Sequence, residues 1–306
     1  MDLHSRTAGE RGPVRVGQTE PDRPLSCRLR VLGPSDLRTA LAVCDRDPPA
    51  NLFVASRLLA TGLRGRNPGG ELWGWYEDGE LRSLCWSGAN LVPVQATALA
   101  VEAFAARARR QGRQCSSIVG AAQAVLALWE RLRSAWGPAR EIRADQPLMV
   151  LDGPPAVPAD PSVRWGRQDE LDLLIPACIA MFTEEVGYSP VLADGGTIYR
   201  AQIASLVSGG RSLVRTAGRG PDRRIVFKAE LGSVTPHAVQ VQGVWVNPQY
   251  RGQGIAAPGM AAVVDLVRSE IAPLVSLYVN GFNTRAVRTY ARVGFTQVGT
   301  FATVLF

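Results

Sequence analysis

In this 306-residue chain, the segment Arg251-Gly252-Gln253-Gly254-Ile255-Ala256 is built to hold an anion. A β-branched, alternating stretch from Val239 to Val246 predicts a strand before it, and Asn247-Pro248 stops that strand. The apolar positions Met260, Val263, Val264 and Val267 predict a helix after it. N–H groups at a helix start have no intrahelical acceptor, and glycines let the backbone approach a ligand closely. Gly252 and Gly254 alone also fit an ordinary tight strand-to-helix turn, or the opening of a dinucleotide fingerprint with Ala257 as its third small residue. Too little chain follows for a full dinucleotide-binding half, and the absence of a Lys-Ser/Thr pair excludes a P-loop.

The next elements narrow the chemistry. Leu274–Val279 predicts a short buried strand. Asn283 is placed to cap a helix carrying Ala286, Val287 and Tyr290 on one face, and Gly294 to end it. Arg251-x-x-Gly254-x-Ala256 followed by Asn283, Ala286, Tyr290, Gly294 and Phe295 resembles the two signature elements of the GNAT family of N-acetyltransferases. The resemblance implies acetyl-CoA, with its pyrophosphate on the main-chain N–H groups of Gly252, Gln253, Gly254, Ile255 and Ala256 and charge added by Arg251. It implies that Val244, Trp245 and Val246 line the pantetheine where this strand splays from its neighbour, and that the Val244 N–H polarises the thioester carbonyl. Tyr290 becomes the general acid that reprotonates the leaving thiolate; its alternative is a core tyrosine. Asn283 either contacts cofactor near the thiol or only caps its helix.

The general base is less legible, because Gln240 and Gln242 stand where some family members carry a carboxylate. Glu230 on the preceding strand and Glu184-Glu185 after a helix are the candidates, the latter two also as binders of a cationic acceptor. Solvated surface acids are the alternative for each. His237 falls in a loop and is read as a bystander.

Composition sets the bounds. A hydrophobic fraction of 46% and a charged fraction of 20% are those of a globular protein. No apolar run reaches the about 18 residues of a membrane span, and no secretory signal precedes the first domain. The five cysteines, Cys27, Cys44, Cys85, Cys115 and Cys178, are scattered without a Cys-x-x-Cys, which predicts free thiols in a reducing cytoplasm and no zinc or other metal. The net charge of +7 is almost all arginine, Lys228 being the only lysine. Without stacking aromatics between basic clusters it predicts no nucleic-acid partner.

Along the chain we expect a disordered tail over 1–26, a first domain over 27–151, a Pro-rich linker over 152–162 and a catalytic domain over 163–306. Ser35 is expected to cap the first helix, and Asp78-Gly79 to close a hairpin. Both halves read β-α-α-β-β-β-α-β-α-β, the order of the acetyltransferase fold. The expected class is therefore α/β (mixed α+β): two tandem GNAT-like domains, each a twisted mixed sheet flanked by helices. The first half lacks the glycine turn and has Trp129 near the place of Tyr290, so it should not bind CoA. The layout is similar to tandem acetyltransferases of actinobacteria with an uncharacterised N-terminal domain, a similarity carried by residues 72–76, 84–90 and 115–120. The implied reaction is direct acetyl transfer to a primary amine of a small molecule or protein. A mycothiol-synthase-like acyltransferase and a non-catalytic acyl-CoA-binding module are the alternatives.

Overall fold

The computed structural model describes residues 26–64, 69–191 and 195–306. The tail expected over 1–26 lies, but for Ser26, outside the described residues. The first half comprises β1 (Cys27–Val31), α1 (Leu37–Cys44), α2 (Pro48–Thr61), β2 (Gly70–Glu77), β3 (Glu80–Gly88), β4 (Asn90–Val94), α3 (Ala98–Gln111), β5 (Ser117–Ala121), α4 (Ala122–Trp136) and β6 (Glu141–Leu151). The second comprises β7 (Arg164–Trp165), α5 (Leu171–Val186), α6 (Thr197–Ser208), β8 (Ser212–Ala217), β9 (Arg224–Val234), β10 (Ala238–Val246), α7 (Ala256–Glu270), β11 (Leu274–Tyr278), α8 (Thr284–Val293) and β12 (Thr296–Leu305). The two halves thus repeat one order of strands and helices, as the sequence pattern predicts.

Local signals explain most boundaries. Asp78 and Gly79 both have positive φ, as the tight β2–β3 turn requires. Asp47 accepts the Ala50 N–H at 3.2 Å and Pro48 occupies the first turn of α2. Ser35 does not cap α1. It lies inside a short 3-10 turn (Pro34–Asp36), where Asp36 accepts the Gly33 N–H and pairs with Arg30.

All twelve described strands form one sheet, ordered β1-β2-β3-β4-β5-β12-β6-β11-β10-β9-β8-β7. Sequence order does not predict its centre. β6 leaves the first half to pair with β11, and β12 crosses back to pair with β5, so each half completes its sheet with the last strand of the other. β6 and β12 run antiparallel side by side at the join. Buried Gln146 fixes that join by accepting from Thr303 Oγ1 at 2.6 Å and donating to Asn280 Oδ1 at 2.9 Å.

Four apolar clusters cover the sheet. α1 and α2 pack on one side of the first half, and α3 and α4 on the other. In the second half α5 and α6 share a core with Trp245, while α7 and α8 share one with Val239, Val241, Phe227 and Leu277. The helical positions Met260, Val263, Val264 and Val267 are all fully buried there, at roughly 1.5–3 kcal/mol of transfer free energy each. Residues 152–162 do not hang free between domains. Ala156 N–H donates to Val293 O, Asp160 N–H to Pro258 O, and Asp160 pairs with Arg215 at 2.7 Å, which straps the segment across α7 and α8.

Candidate active site

β10 carries the site because it is only partly paired. It runs parallel to β11 over three register pairs, ending at Gln240–Ser276. β11 then follows β6, pairing Leu277 with Met149 and Tyr278 with Leu148, and has no register with Val241–Val246. A wedge opens between the two strands, and Val244 and Val246 lie half-buried along it. On its other side β10 pairs with β9 through a bulge: Gln242 faces Glu230 and Trp245 faces Lys228, which leaves one extra residue on β10.

β10 leads into the turn that the sequence singles out. Gly252 and Gly254 have φ of +81° and +74°, and a Cβ on either would meet nothing within 4 Å. The N–H groups of Gly252, Gln253, Gly254 and Ile255 have no acceptor among the described residues, and α7 begins at Ala256. Open space, free donors and the positive end of a 15-residue helix fit a pyrophosphate. Arg251 points elsewhere: it donates to Val246 O at 2.9 Å and to Glu184 Oε2 at 2.6 Å.

Of the expected site residues, the structure brings Glu230 and Glu185 to one cleft and sends Glu184 to the glycine turn, where it also accepts from Trp245 Nε1 at 3.4 Å. The cleft measures about 600 Å³. Its floor is Glu230, Gln240, Gln242, Gly243 and Tyr278 from the strands, and its walls come from α5, α6, Tyr188 and Pro190. The first half reaches it through Arg143 on β6, whose Nη2 donates to Glu185 O at 3.1 Å and whose Nη1 lies 3.9 Å from Glu185 Oε1.

Glu230 is buried and held on one oxygen. Its Oε1 accepts from Lys228 Nζ at 2.5 Å and from Cys178 Sγ at 3.3 Å. Lys228 is fully buried and also donates to Gly243 O at 3.1 Å. Oε2 faces the bulge: a Cβ on Gly243 would stand 3.0 Å from it, and Gly243 has a φ of +57°. Glycine is required there on both counts. Burial, opposed by the Lys228 charge, pushes the Cys178 thiol up to about 12. Sequence reasoning missed Lys228, Cys178, Gly243 and Arg143 as members of this site. One signal was available: Lys228 and Glu230 are two apart on a strand, hence on one face, and Lys228 is the only lysine.

Tyr290 sits on the buried face of α8, edge-on to Phe295 with ring centroids 6.0 Å apart, and its hydroxyl has no hydrogen-bond partner among the described residues. Burial, then the nearby Glu185 charge, raises its pKa above the ordinary phenol value. Asn283 caps α8, its Oδ1 accepting the Ala286 N–H at 3.1 Å.

The first half has the same strand wedge but fills the anion position. β4 and β5 pair only at Asn90–Ser117 and Leu91–Ile118. Thr97 then caps α3 with its own hydroxyl and donates to Glu77 Oε1 at 3.0 Å, so a carboxylate stands at the helix start. Trp129 lies on α4 edge-on to Phe306.

Residues 215–295 match the acetyltransferase (GNAT) family, and residues 70–174 match a domain family of unknown function, DUF4081. No curated protein matches the sequence. Among solved structures, a GCN5-related N-acetyltransferase from Sphaerobacter thermophilus is similar at 18% identity and a TM-score of 0.57, covering 94% of this chain and 97% of that one. A tandem GNAT protein from the clavulanic acid biosynthesis pathway is similar at 13% identity and a TM-score of 0.52, covering 92% and 98%. A GNAT-family acetyltransferase from Colwellia psychrerythraea is similar at 12% identity and a TM-score of 0.52, covering 91% and 99%. The chain therefore has a tandem GNAT fold, and its second half carries the sequence signature of the GNAT acetyltransferase family.

Proposed function

We propose that the chain is an acyltransferase that moves an acetyl group from acetyl-CoA to a primary amine, with the second half active and the first half supporting it. One observation carries this reading: β10 leaves its β11 partner after Gln240 and then feeds an open glycine turn whose N–H groups have no acceptor among the described residues. Acetyl-CoA as donor substrate would supply an activated acyl carbon. Gly252–Ala256 would hold its pyrophosphate, and the edge of β10 at Val244 and Val246, which has no strand partner there, would hold the arm that follows. Glu230 Oε2, the oxygen that Lys228 and Cys178 leave free, would accept a proton from the amine nitrogen as the C–N bond forms and the C–S bond breaks. Tyr290 would give its proton to the departing sulfur; its raised pKa keeps that proton in place at neutral pH. No acceptor carboxylate other than Glu230 and Glu185 faces the cleft among the described residues.

The test is calorimetric titration with acetyl-CoA of the protein and of Gly254→Asp, which puts a side chain and a negative charge into the turn. Micromolar binding that disappears in a variant with an unchanged circular dichroism spectrum supports the reading. A well-folded protein that binds no acetyl-CoA sinks it. Because Lys228 already engages Glu230, a non-catalytic acyl-CoA binder is the second reading. Tyr290→Phe separates the two: an enzyme loses about 10²–10⁴-fold in rate while keeping its CoA affinity, whereas a binder has no turnover to lose.

A further inference from the structure

We infer that the acceptor is a monoamine with an aromatic or branched apolar body, and not a polycation such as a polyamine, an aminosugar or a basic peptide. The inference rests on the acyl-transfer reading above and deepens it. Among the described residues, the carboxylates at and beside the cleft each face an internal cation: Glu230 has Lys228 at 2.5 Å, Glu184 has Arg251 at 2.6 Å, and Glu185 lies 3.9 Å from Arg143, which Glu141 holds more closely at 2.8 Å. A site that attracts several positive charges needs unpaired carboxylates to receive them, since desolvated cations without partners are costly. Among the described residues, the buried floor of this cleft offers one cationic head one free carboxylate oxygen, Glu230 Oε2, with the neutral amides of Gln240 and Gln242 beside it, while the second lining carboxylate, Glu185, is about half-exposed.

The walls above that floor are apolar and aromatic. Phe182 meets Tyr188 and Tyr199 edge to face, each with ring centroids 5.6 Å apart. Ile198 and Pro190 extend the same surface, Ile198 remaining 75% exposed. Tyr199 is anchored through its hydroxyl to Cys178 O at 3.0 Å, and Arg140 lies over the Tyr188 ring at 5.3 Å. The rings are therefore held in place with edges and faces presented to the opening, an arrangement suited to a planar or branched body. The cleft's volume of about 600 Å³ fits a small molecule.

The experiment measures CoA release by chromatography with the full chain, acetyl-CoA, and four acceptors: phenethylamine, tyramine, spermidine and kanamycin. We expect kcat/KM for the two aryl monoamines to exceed that for spermidine and kanamycin by at least about ten-fold. Tyr188→Ala and Phe182→Ala should each raise the phenethylamine KM by roughly two- to twelve-fold through loss of one aromatic contact surface, with acetyl-CoA affinity unchanged. Tyr188 is half-exposed, so its variant remains informative if Phe182→Ala does not fold. Turnover of spermidine or kanamycin at equal or higher efficiency overturns the inference. So does normal acetyl-CoA binding with neither turnover nor calorimetric binding of the aryl monoamines. If acetyl-CoA itself fails to bind, the acyl-transfer reading falls, and this inference falls with it.

Discussion

Arg251 Nη2 lies 2.6 Å from Glu184 Oε2, so the last turn of α5 is tied directly to the glycine turn that opens α7. Both side chains are about two-fifths exposed, and such pairs add little to stability. Their consequence lies in binding: the carboxylate stands beside the position proposed for the pyrophosphate and occupies the one side chain in the turn that could neutralise it. Glu184→Gln should tighten acetyl-CoA by about two- to five-fold at low salt, with the gain shrinking as ionic strength rises. Arg251→Gln should weaken it by a similar factor. Calorimetry at two salt concentrations checks both, and an unchanged or weaker affinity for Glu184→Gln refutes the coupling.

Lys228 and Glu230 form the opposite kind of pair, short and buried under the cleft. Removing one member leaves the other charged, desolvated and uncompensated. Lys228→Met should therefore cost roughly 3–5 kcal/mol, whereas Lys228→Met combined with Glu230→Leu should cost markedly less than the sum of the single changes. Urea denaturation of the four proteins gives the coupling directly. Additive losses would mean that the pair is not a unit and that Glu230 is not held by Lys228.

A second carboxylate ties down the start of α5. Glu170 is buried, is gripped on both oxygens by Arg164 at 2.6 and 2.8 Å, and accepts a further bond from Arg223. The hydrogen bond from Arg164, opposed by desolvation, holds its carboxyl down at about 2. A depressed folded-state pKa means stabilisation that is complete above the unfolded value near 4.5 and lost as pH falls towards about 2. With allowance for the partly exposed arginines, it is worth about 2 kcal/mol at neutral pH. Glu170→Gln should therefore be less stable than the parent protein at pH 7, and the difference should shrink towards pH 2. A difference that is constant with pH would exclude the ionised carboxylate as its source.

What the sequence made legible was local. The Asp78-Gly79 turn, the Asn283 cap, the Gly294 stop and the periodic face of α7 each depend on a few neighbouring residues whose propensities agree with their final state. The glycine turn was legible for the same reason, being a strand, a stop and a helix start in immediate succession. Two things were not. The Lys228–Glu230–Cys178 cluster joins α5 to β9 across 52 residues, and no local pattern encodes a contact at that separation. The exchange of β6 and β12 was hidden because each strand carries a contiguous buried run, Gln146–Met149 and Phe301–Val304, and such a run does not say which half it closes; the contacts of Gln146 fix the join.

That exchange yields the last prediction. Each half without its borrowed strand would expose the unpaired backbone of an interior strand, β5 in the first half and β11 in the second. Gln146 would lose Thr303 in the first fragment, and Asn280 would lose Gln146 in the second. Residues 27–152 and residues 153–306 produced separately should therefore each aggregate or remain unfolded, although the sequence pattern makes each resemble a complete domain. Produced together, they should co-elute as one folded complex, because β6 and β12 pair with each other as well as with the opposite half. Size-exclusion chromatography and circular dichroism of the single and paired fragments distinguish the cases. A soluble, cooperatively unfolding 27–152 fragment would mean that β12 is dispensable to the first half, and that the central join follows from folding instead of enabling it.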